Sequence, residues 1–459
     1  MKIGLVHICD RSTQFYEALA NSQLNVSFHS APYFAFPEND ERRLPQQKYR
    51  NIPCIELVSY FLTHINSGSS PRISHKITIK IINLVNSLPN LMHLFDRTIH
   101  SNLGIGDRTL LAIRLCIAMY DFVEASRTDV VIFGIVPHHP WDFLFFKICE
   151  LCGARVFFAI CYPFTGRGCF IFDSSYSVME PIADVQSRID SDFLCLNVAK
   201  RLYTSMGCAP KGAKGATSVM DRLYGGVESV GSIDLEFIKN SAFALNIINW
   251  DQVSEYVIFA LHYEPELATN PLGGLFWDQR LAIIALRNSL PEKTLLLLKE
   301  HPYWGDVSSR EYAKYRGREF FSSIESTLPI AYMSYEHKIS SYLNSCLAVC
   351  TLSGTTPLEC LAMGVPSITM GITPYGMLDG IVPFGPNVYN DVLDSLCRIS
   401  VTKPFERLRP LFSNIWHFLP YGSSSEIVAM DSAHSATNSE VMAASIASLS
   451  MGRYRVRDS

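Results

Sequence analysis

The sequence predicts an α/β fold with two domains, each built on a mainly parallel sheet. The chain has 459 residues, which is more than one ordinary hydrophobic core accommodates. Short apolar runs alternate with amphipathic helical patterns in both halves, as in strand–helix–strand units whose strands are parallel. Apolar residues make up 48% of the chain and charged residues 18%, which indicates a globular protein rather than a disordered one.

The first half opens with an apolar run at residues 2–8, which predicts the first strand. Helical patterns follow at residues 55–65, 76–94 and 108–126. A buried strand is then predicted at 129–134, followed by a helix at 141–151 and a strand at 154–160. Strand, helix and strand at this spacing form one parallel βαβ unit.

The second half repeats the alternation, beginning with a strand at 257–261 and a helix at 275–289. An apolar strand at 295–298 ends in the turn Lys299-Glu300-His301-Pro302. The last set of elements is a strand at 347–351, a small-residue turn, a helix at 357–363 and a strand at 366–370.

A change of composition separates the two halves. Residues from about 176 to 245 are more polar and include a basic, glycine-containing loop at 209–217. We therefore predict an N-terminal domain over 1–245 with helical insertions and a C-terminal domain over 246–400. Residues 401–459 form an extension whose role the sequence does not define.

Charge and cysteine content exclude several classes of protein. The net charge of −4 argues against a general nucleic-acid binder, which needs a basic face. The 13 cysteines are odd in number and scattered through apolar surroundings, which favours buried reduced thiols over a disulfide framework. Neither a signal peptide nor a membrane-spanning segment is evident, so the sequence predicts a cytoplasmic protein.

Two turns after predicted strands carry the residues of an anion site. The first is Lys299-Glu300-His301-Pro302, in which the imidazole of His301 can donate to a phosphate oxygen and Lys299 adds positive charge. The second runs from Ser353 to Glu359 and supplies hydroxyls, backbone N–H groups and a helix start. Ligands of parallel sheets collect at the carboxyl ends of strands. The predicted nucleotide-phosphate site therefore consists of Lys299, His301, Pro302, Ser353, Gly354, Thr355, Thr356 and Glu359.

A structural interpretation of the same residues is that the second turn only caps its helix and that His301 only occupies a turn. Either turn alone would favour that interpretation. Together, in strand–helix order, the two turns favour a binding site.

These two motifs resemble the C-terminal nucleotide-binding domain of GT-B glycosyltransferases, over roughly residues 255 to 375. The likeness is greatest to enzymes of bacterial capsule and lipopolysaccharide assembly, including the Kdo transferases, and the His-Pro pair is similar to that of bacterial polysialyltransferases. The resemblance implies two Rossmann-like domains that face a central cleft, with the donor nucleotide bound by the C-terminal domain and the acceptor by the N-terminal one. It also implies a metal-independent transfer without a resident cofactor.

The favoured donor is a CMP-activated acid sugar such as Kdo, while UDP- and GDP-sugars stay open as donors. The acceptor would be a surface polysaccharide or a lipid-linked glycan, and the enzyme would then work at the inner face of the inner membrane. Retaining relatives carry two glutamates beside the phosphate site. Glu359 has no such earlier partner, which favours the inverting class.

An inverting transfer needs a general base, which the resemblance assigns to the N-terminal domain. The candidates follow strand ends: His7, Asp10, His138, His139, Asp142 and Asp173. The pair His138-His139 is the best placed. Structural alternatives remain, since Asp142 can cap its helix, His7 can be a core histidine and Asp173 can belong to a turn.

Three further residues, His262, Glu264 and Glu266, follow the first strand of the second domain. A role at the donor sugar or at an interdomain hinge competes evenly with a structural one. The basic segments at 211–214 and 453–457 either contact an anionic lipid-linked acceptor or membrane or are solvated, and the solvated interpretation is favoured. Rival functions are a nucleotide-sugar 2-epimerase, a CDP-glycerol-type polyol-phosphate transferase and a non-catalytic polysaccharide-assembly protein.

Overall fold

A computed structural model of the chain describes residues 2–6, 25–30, 54–56, 61, 65, 73–97, 103–160, 168–181, 253–302, 315–324, 330–333, 337–399, 407–408, 411, 416–417 and 454–456. The chain divides into two compact units. The first unit comprises Met1–Asp190 together with Phe412–Ser459, and the second unit comprises Ser191–Leu411.

The described residues form two sheets and a set of helices. The strands are β1 (Lys2–Val6), β2 (Asn25–Ser30), β3 (Cys54–Glu56), β4 (Val130–Phe133), β5 (Arg155–Ile160), β6 (Gly168–Asp173), β7 (Val178–Pro181), β8 (Tyr256–Ala260), β9 (Leu295–Lys299), β10 (Ile330–Met333), β11 (Cys346–Thr351), β12 (Ser367–Thr369), β13 (Ile381–Pro383), β14 (Trp416–His417) and β15 (Tyr454–Val456). The α-helices are α1 (His75–Asn86), α2 (Leu91–Leu94), α3 (Ile105–Ser126), α4 (Pro140–Leu151), α5 (Gln279–Ser289), α6 (Arg318–Ile324), α7 (Thr356–Ala362) and α8 (Val388–Ile399).

The sheet of the first unit is parallel at its centre and antiparallel at one side. Its order is β15-β7-β6-β5-β4-β1-β2-β3, and β14 pairs with β6 off this path. Strands β3, β2, β1, β4 and β5 run parallel. Strands β6, β7 and β15 continue the sheet in antiparallel pairs.

The sheet of the second unit is parallel throughout, in the order β10-β9-β8-β11-β12-β13. Counted along the chain within this unit, the order is 3-2-1-4-5-6, that of the doubly wound dinucleotide-binding fold. The strand order reverses between β8 and β11. Ligands of such sheets bind outside the carboxyl ends of the strands at this switch point.

Burial on both faces explains the continuous apolar strands of the second unit. In β9, Leu296 and Leu298 pack in one core with Phe321, while Leu297 packs in a second core with Cys360.

The predicted α/β class with two Rossmann-like domains is confirmed. The predicted cleft concerns the relative placement of the units and stays a prediction.

The unit boundaries differ from the domain ranges expected from the sequence. The chain enters the second unit at Ser191, and the predicted boundary at residue 245 lies outside the described residues. Within the predicted C-terminal extension, the described strands β14 and β15 pair with β6 and β7 of the first unit.

Several predicted helices begin or end elsewhere. Residues 55 and 56 of the helix expected at 55–65 lie in β3, and the helix expected at 108–126 begins at Ile105. The helix expected at 76–94 ends at Asn86, and Pro89 separates it from α2 because proline lacks the N–H that a helix interior needs. The helix expected at 275–289 begins only at Gln279. Asp278 caps it by accepting the N–H of Arg280, and a 3₁₀ turn over Gly274–Phe276 precedes it.

In the described part of the chain, no helix is long and apolar enough to cross a membrane. Within the same residues, no group of three His, Cys, Asp or Glu side chains is placed to hold a metal ion. The cysteines whose side chains the structure describes are free thiols, and burial raises the pKa of the thiols of Cys149 and Cys350 well above the ordinary value.

Candidate functional site

Three strand ends of the second unit meet at the switch point of its sheet. Strands β9, β8 and β11 are neighbours in that order. His262 follows β8, His301 follows β9, and Ser353-Gly354 follows β11. The structure thus brings both predicted phosphate turns together, with the predicted donor or hinge turn between them.

His262 is a buried residue that connects two of these turns. Its Nε2 accepts the N–H of Ser353 at 3.3 Å and lies 2.8 Å from Oγ1 of Thr351. Its own backbone N–H donates to Oε1 of Gln279 at 2.7 Å. Burial first, and then His301 and Arg316, lower the pKa of His262 to about 3. The ring is therefore neutral, with Nε2 as an acceptor.

The Ser353-Gly354 turn is fixed from both sides. The hydroxyl of Ser353 donates to the carbonyl of Ala268 at 2.9 Å, and the hydroxyl of Tyr375 donates to the carbonyl of Gly354. Gly354 lies against the imidazole of His262. These contacts show the turn as a packed element, so Gly354 is needed for packing against the protein itself.

A second buried group lies below the turn after β9. Glu300 is 1% exposed, and its carboxylate accepts from Nε of Arg316 at 3.0 Å and from the hydroxyl of Tyr332 at 2.9 Å. The same carboxylate accepts the N–H of His301 at 2.8 Å. Glu300 thus lies on the face of the sheet opposite Lys299, as strand alternation predicts.

Arg316 is fully buried and has two carboxylate partners. Its guanidinium pairs with Glu264 and Glu300, and Nη2 donates to the carbonyl of His262 at 2.8 Å. Burial opposes its charge, but Glu300 and Glu264 outweigh that cost and hold the pKa of Arg316 above its ordinary value. Glu264 is therefore engaged as a counterion, while Glu266 is exposed.

Lys299 is a second buried cation, and its hydrogen-bond partner differs from those of Arg316. The residue is 7% exposed, and its Nζ donates to the carbonyl of Glu300 at 2.5 Å. Among the described residues, no carboxylate lies within salt-bridge distance of Nζ. Burial lowers the pKa of Lys299 to about 8, against the opposing influence of Glu300.

Lys299 lies on the face of the sheet that carries α7. Successive residues of a strand point to opposite faces, so Lys299 shares a face with Leu297. Leu297 packs in the same core as Cys360 of α7. His301 is near enough to Lys299 for that charge to contribute to its lowered pKa of about 4, of which burial is the larger cause.

The remaining predicted phosphate residues are partly exposed. Thr355, Thr356 and Glu359 are half-buried, and Pro302 is exposed. Thr355 occupies the N-cap position of α7 without a capping hydrogen bond from its side chain. Glu359 lies in the first turn of that helix.

In the first unit, the His138-His139 turn follows β4, beside the end of β1. The Nδ1 of His138 lies 2.7 Å from the carbonyl of Val136. The carboxylate of Asp142 is 1% exposed and accepts the backbone N–H of His139 at 2.7 Å and of His138 at 3.4 Å. Asp142 thus caps α4 and fixes the histidine turn.

The other base candidates are Asp173, His7 and Asp10. Asp173 accepts the N–H groups of Ser175 and Ser177 at 2.9 Å each, which is the turn role named as its alternative. His7 and Asp10 lie outside the described residues.

Three buried residues that contact the site were not predicted from the sequence. Arg316 and Tyr332 bond the carboxylate of Glu300, and Gln279 bonds the backbone of His262. None of them belongs to a motif. One signal was present, since Glu300 closely follows the apolar run at 295–298 and a carboxylate that is buried there requires a cation. The position of that cation along the chain could not be read from the sequence.

No known protein family profile matches the chain, and no curated protein matches it. Solved structures similar to it include the UDP-GlcNAc 2-epimerase of Methanocaldococcus jannaschii, at 10% identity and TM-score 0.25, covering 94% of this chain and 99% of that one. A glycosyltransferase of Rickettsia africae is 9% identical with TM-score 0.23, covering 98% of each chain. KpsC of Thermosulfurimonas dismutans, a beta Kdo 2,7 transferase, is 10% identical with TM-score 0.26, covering 61% of this chain and 79% of that one. At these scores the likenesses assign no function.

Proposed function

We propose that this chain is a glycosyltransferase of the GT-B class and that its second unit binds the phosphate of a nucleotide sugar at the ends of β9 and β11. The observation that carries the proposal is Lys299, a buried ammonium whose described partner is a backbone carbonyl. It lies at the carboxyl edge of a doubly wound sheet, next to the switch point.

A buried charge is costly unless it is paired. Arg316 meets this condition with Glu264 and Glu300, whereas Lys299 has no carboxylate partner among the described residues. A phosphate oxygen would supply the missing negative charge. Thr355 and Thr356, which are half-buried at the start of α7, would supply hydroxyl donors on the same face of the sheet.

A single buried ammonium supports a donor with one phosphate. The neighbouring His262 and His301 are neutral near pH 7, because burial lowers the pKa of each to about 3 and about 4. Lys299 matches the one phosphate group of a CMP-linked sugar, while a diphosphate would add a second negative group to the same place. Together with the resemblance of the His-Pro pair, this favours a CMP-activated acid sugar such as Kdo as the donor.

The transfer inverts the anomeric carbon, and His138 is the base. Nδ1 of His138 donates to the carbonyl of Val136 at 2.7 Å, which makes Nε2 the basic nitrogen. Nε2 takes the proton from an acceptor hydroxyl as its oxygen bonds to the anomeric carbon. The bond from that carbon to the phosphate oxygen breaks, and CMP leaves with the electron pair while Lys299 stabilises the phosphate. Lys299 supplies the positive charge, so the proposed transfer needs no metal ion and no resident cofactor.

The acceptor is proposed from the sequence resemblance alone. It would be a growing surface polysaccharide or its lipid-linked precursor, at the inner face of the inner membrane.

The test is a titration of wild-type protein with CMP, CDP, UDP and GDP, followed by calorimetry or thermal shift. A ligand stabilises the protein only if it binds the native state. We expect binding of CMP that Lys299→Met abolishes and that Lys293→Met, which changes an exposed lysine of the same unit, leaves intact. Binding of UDP alone would overturn the CMP donor, and no binding of any nucleotide would overturn the site.

A nucleotide-sugar 2-epimerase is the second candidate. It is favoured by the concentration of charged and titratable groups, Lys299, Glu264, Glu300, Arg316 and His301, in one unit. An epimerase acts on a single nucleotide sugar without an acceptor. Incubation with UDP-GlcNAc alone, followed by NMR of the sugar protons, would show a new epimer in that case and no change for the transferase.

A further inference from the structure

We propose that Arg316 is a positioning residue that fixes the three strand-end turns of the site, and through them the backbone from which the His301 side chain projects. The proposal deepens the proposed function and rests on it for the identity of the ligand. Neither predicted motif contains Arg316, and its side chain is fully buried beneath the site.

The guanidinium of Arg316 contacts the turns after β8 and β9. Nη2 donates to the carbonyl of His262 at 2.8 Å, Nη1 pairs with Glu264, and Nε donates to Glu300 at 3.0 Å. One planar group therefore holds the turn after β8 at two points and the turn after β9 at a third. Lysine cannot reproduce this, since its ammonium lacks the fork geometry.

Arg316 is connected to His301 through Glu300. The carboxylate that Arg316 holds, Glu300, accepts the N–H of His301 at 2.8 Å through its other oxygen. Tyr332 adds a hydrogen bond of 2.9 Å to the same carboxylate. The backbone of the His-Pro turn is thus attached to a buried ion pair instead of to solvent.

Arg316 is also connected to the turn after β11, through His262. His262, whose carbonyl Arg316 holds, accepts the N–H of Ser353 at 3.3 Å through Nε2. Arg316 therefore acts on both predicted phosphate turns while touching no ligand. Functional groups held by such outer contacts keep the geometry that binding requires.

The experiment compares Arg316→Lys with Arg287→Lys. Arg287 is a matched control, because it is a buried arginine of the same unit that donates to the carbonyls of Leu290, Pro291 and Thr294 at the end of α5. Hydrogen–deuterium exchange is measured in the turns at 261–266, 300–302 and 351–356, without ligand. We expect faster exchange in all three turns for Arg316→Lys and wild-type rates there for Arg287→Lys.

Nucleotide affinity is the second readout, taken at a temperature where each variant is folded by circular dichroism. We expect the Kd for CMP to rise about tenfold in Arg316→Lys, as for the loss of one charge-assisted hydrogen bond, and to stay at the wild-type value in Arg287→Lys. If Arg316→Lys does not fold, Tyr332→Phe removes one bond to Glu300 without changing any charge. It should then speed exchange at 300–302.

Wild-type exchange rates in the three turns of Arg316→Lys would overturn the positioning role. An equal increase of these rates in Arg287→Lys would overturn it as well. Faster exchange in a protein that binds no nucleotide would instead overturn the proposed function and keep the positioning role. The two failures are therefore distinguishable.

Discussion

The imidazole of His262 lies against Gly354 so closely that a Cβ atom at residue 354 would be 2.7 Å from its Cε1. The ring cannot simply rotate away, because Nε2 accepts the N–H of Ser353. The absence of a side chain at residue 354 is thus a condition for the contact between the turns after β8 and β11.

Gly354→Ala should therefore destabilise the protein by about 1–3 kcal/mol, the usual cost of overpacking, and should weaken nucleotide binding. Urea unfolding and a CMP titration are the measurements. Gly385→Ala is the control, because no atom lies within 4 Å of a Cβ placed there. Wild-type stability in Gly354→Ala would show that the ring and turn can separate without cost.

Acid should destabilise the second unit through its buried histidines. The pKa values of His262 and His301 are lowered to about 3 and about 4 from an ordinary value of 6.5. Below pH 6.5 the unfolded chain binds protons that the folded one does not, so stability falls as the pH is lowered towards 4.

His301→Gln should remove about 1–2 kcal/mol of the loss in unfolding free energy that the wild type shows between pH 6.5 and pH 5. Urea unfolding at both pH values gives this quantity, with His75→Gln, at an exposed position, as the control. Equal losses in wild type and His301→Gln would mean that the fold does not depress the pKa of His301.

Alkaline pH should weaken nucleotide binding through Lys299. Its pKa is lowered to about 8, so the free protein loses the ammonium above that pH. The Kd for CMP should then rise about tenfold per pH unit above 8, because only the charged form pairs with phosphate. Calorimetry between pH 7 and pH 9.5 tests this, and Lys299→Met should bind weakly at every pH. A flat profile for the wild type would contradict the assignment.

Substitutions of His138, His139 and Asp142 should have different effects, because only His138 is assigned as the base. His138→Gln should abolish transfer while leaving nucleotide affinity unchanged, and His139→Gln should keep most activity. Asp142→Asn should lower stability by about 1 kcal/mol, because it weakens the cap of α4. Turnover of a CMP-sugar and thermal unfolding are measured for all three. Full activity in His138→Gln would remove His138 from the mechanism.

Much of the second unit could be predicted from the sequence, because its strands are apolar on both faces. The run at 295–298 and the run at 347–351 are recognisable without any tertiary information, and both lie within strands, β9 and β11. A turn can be predicted at the end of each such strand. Lys299, His301 and Gly354 could therefore be assigned to one predicted site before the structure was known. The helix start at Gln279 was mispredicted because the apolar residues 275–277 continue the helical pattern in front of the Asp278 cap.

The support of the site could not be predicted in the same way. Arg316 lies in a polar stretch of the sequence, and its burial depends on the ion pairs with Glu264 and Glu300. Such a contact joins residues 52 and 16 positions apart, and no local pattern encodes it. Asp142 shows the opposite case, since a carboxylate just inside a helix start has a local capping role that the structure bears out.

The pairing of β14 and β15 with β6 and β7 has a practical consequence for genetics. The chain leaves the first unit, builds the second and returns, so the second unit is topologically an insertion. A stop codon before Trp416 would therefore damage the sheet that carries His138, although the deleted residues follow the nucleotide-site motifs in sequence. Loss of activity in such a truncation would report on the first unit while the second could still bind its ligand.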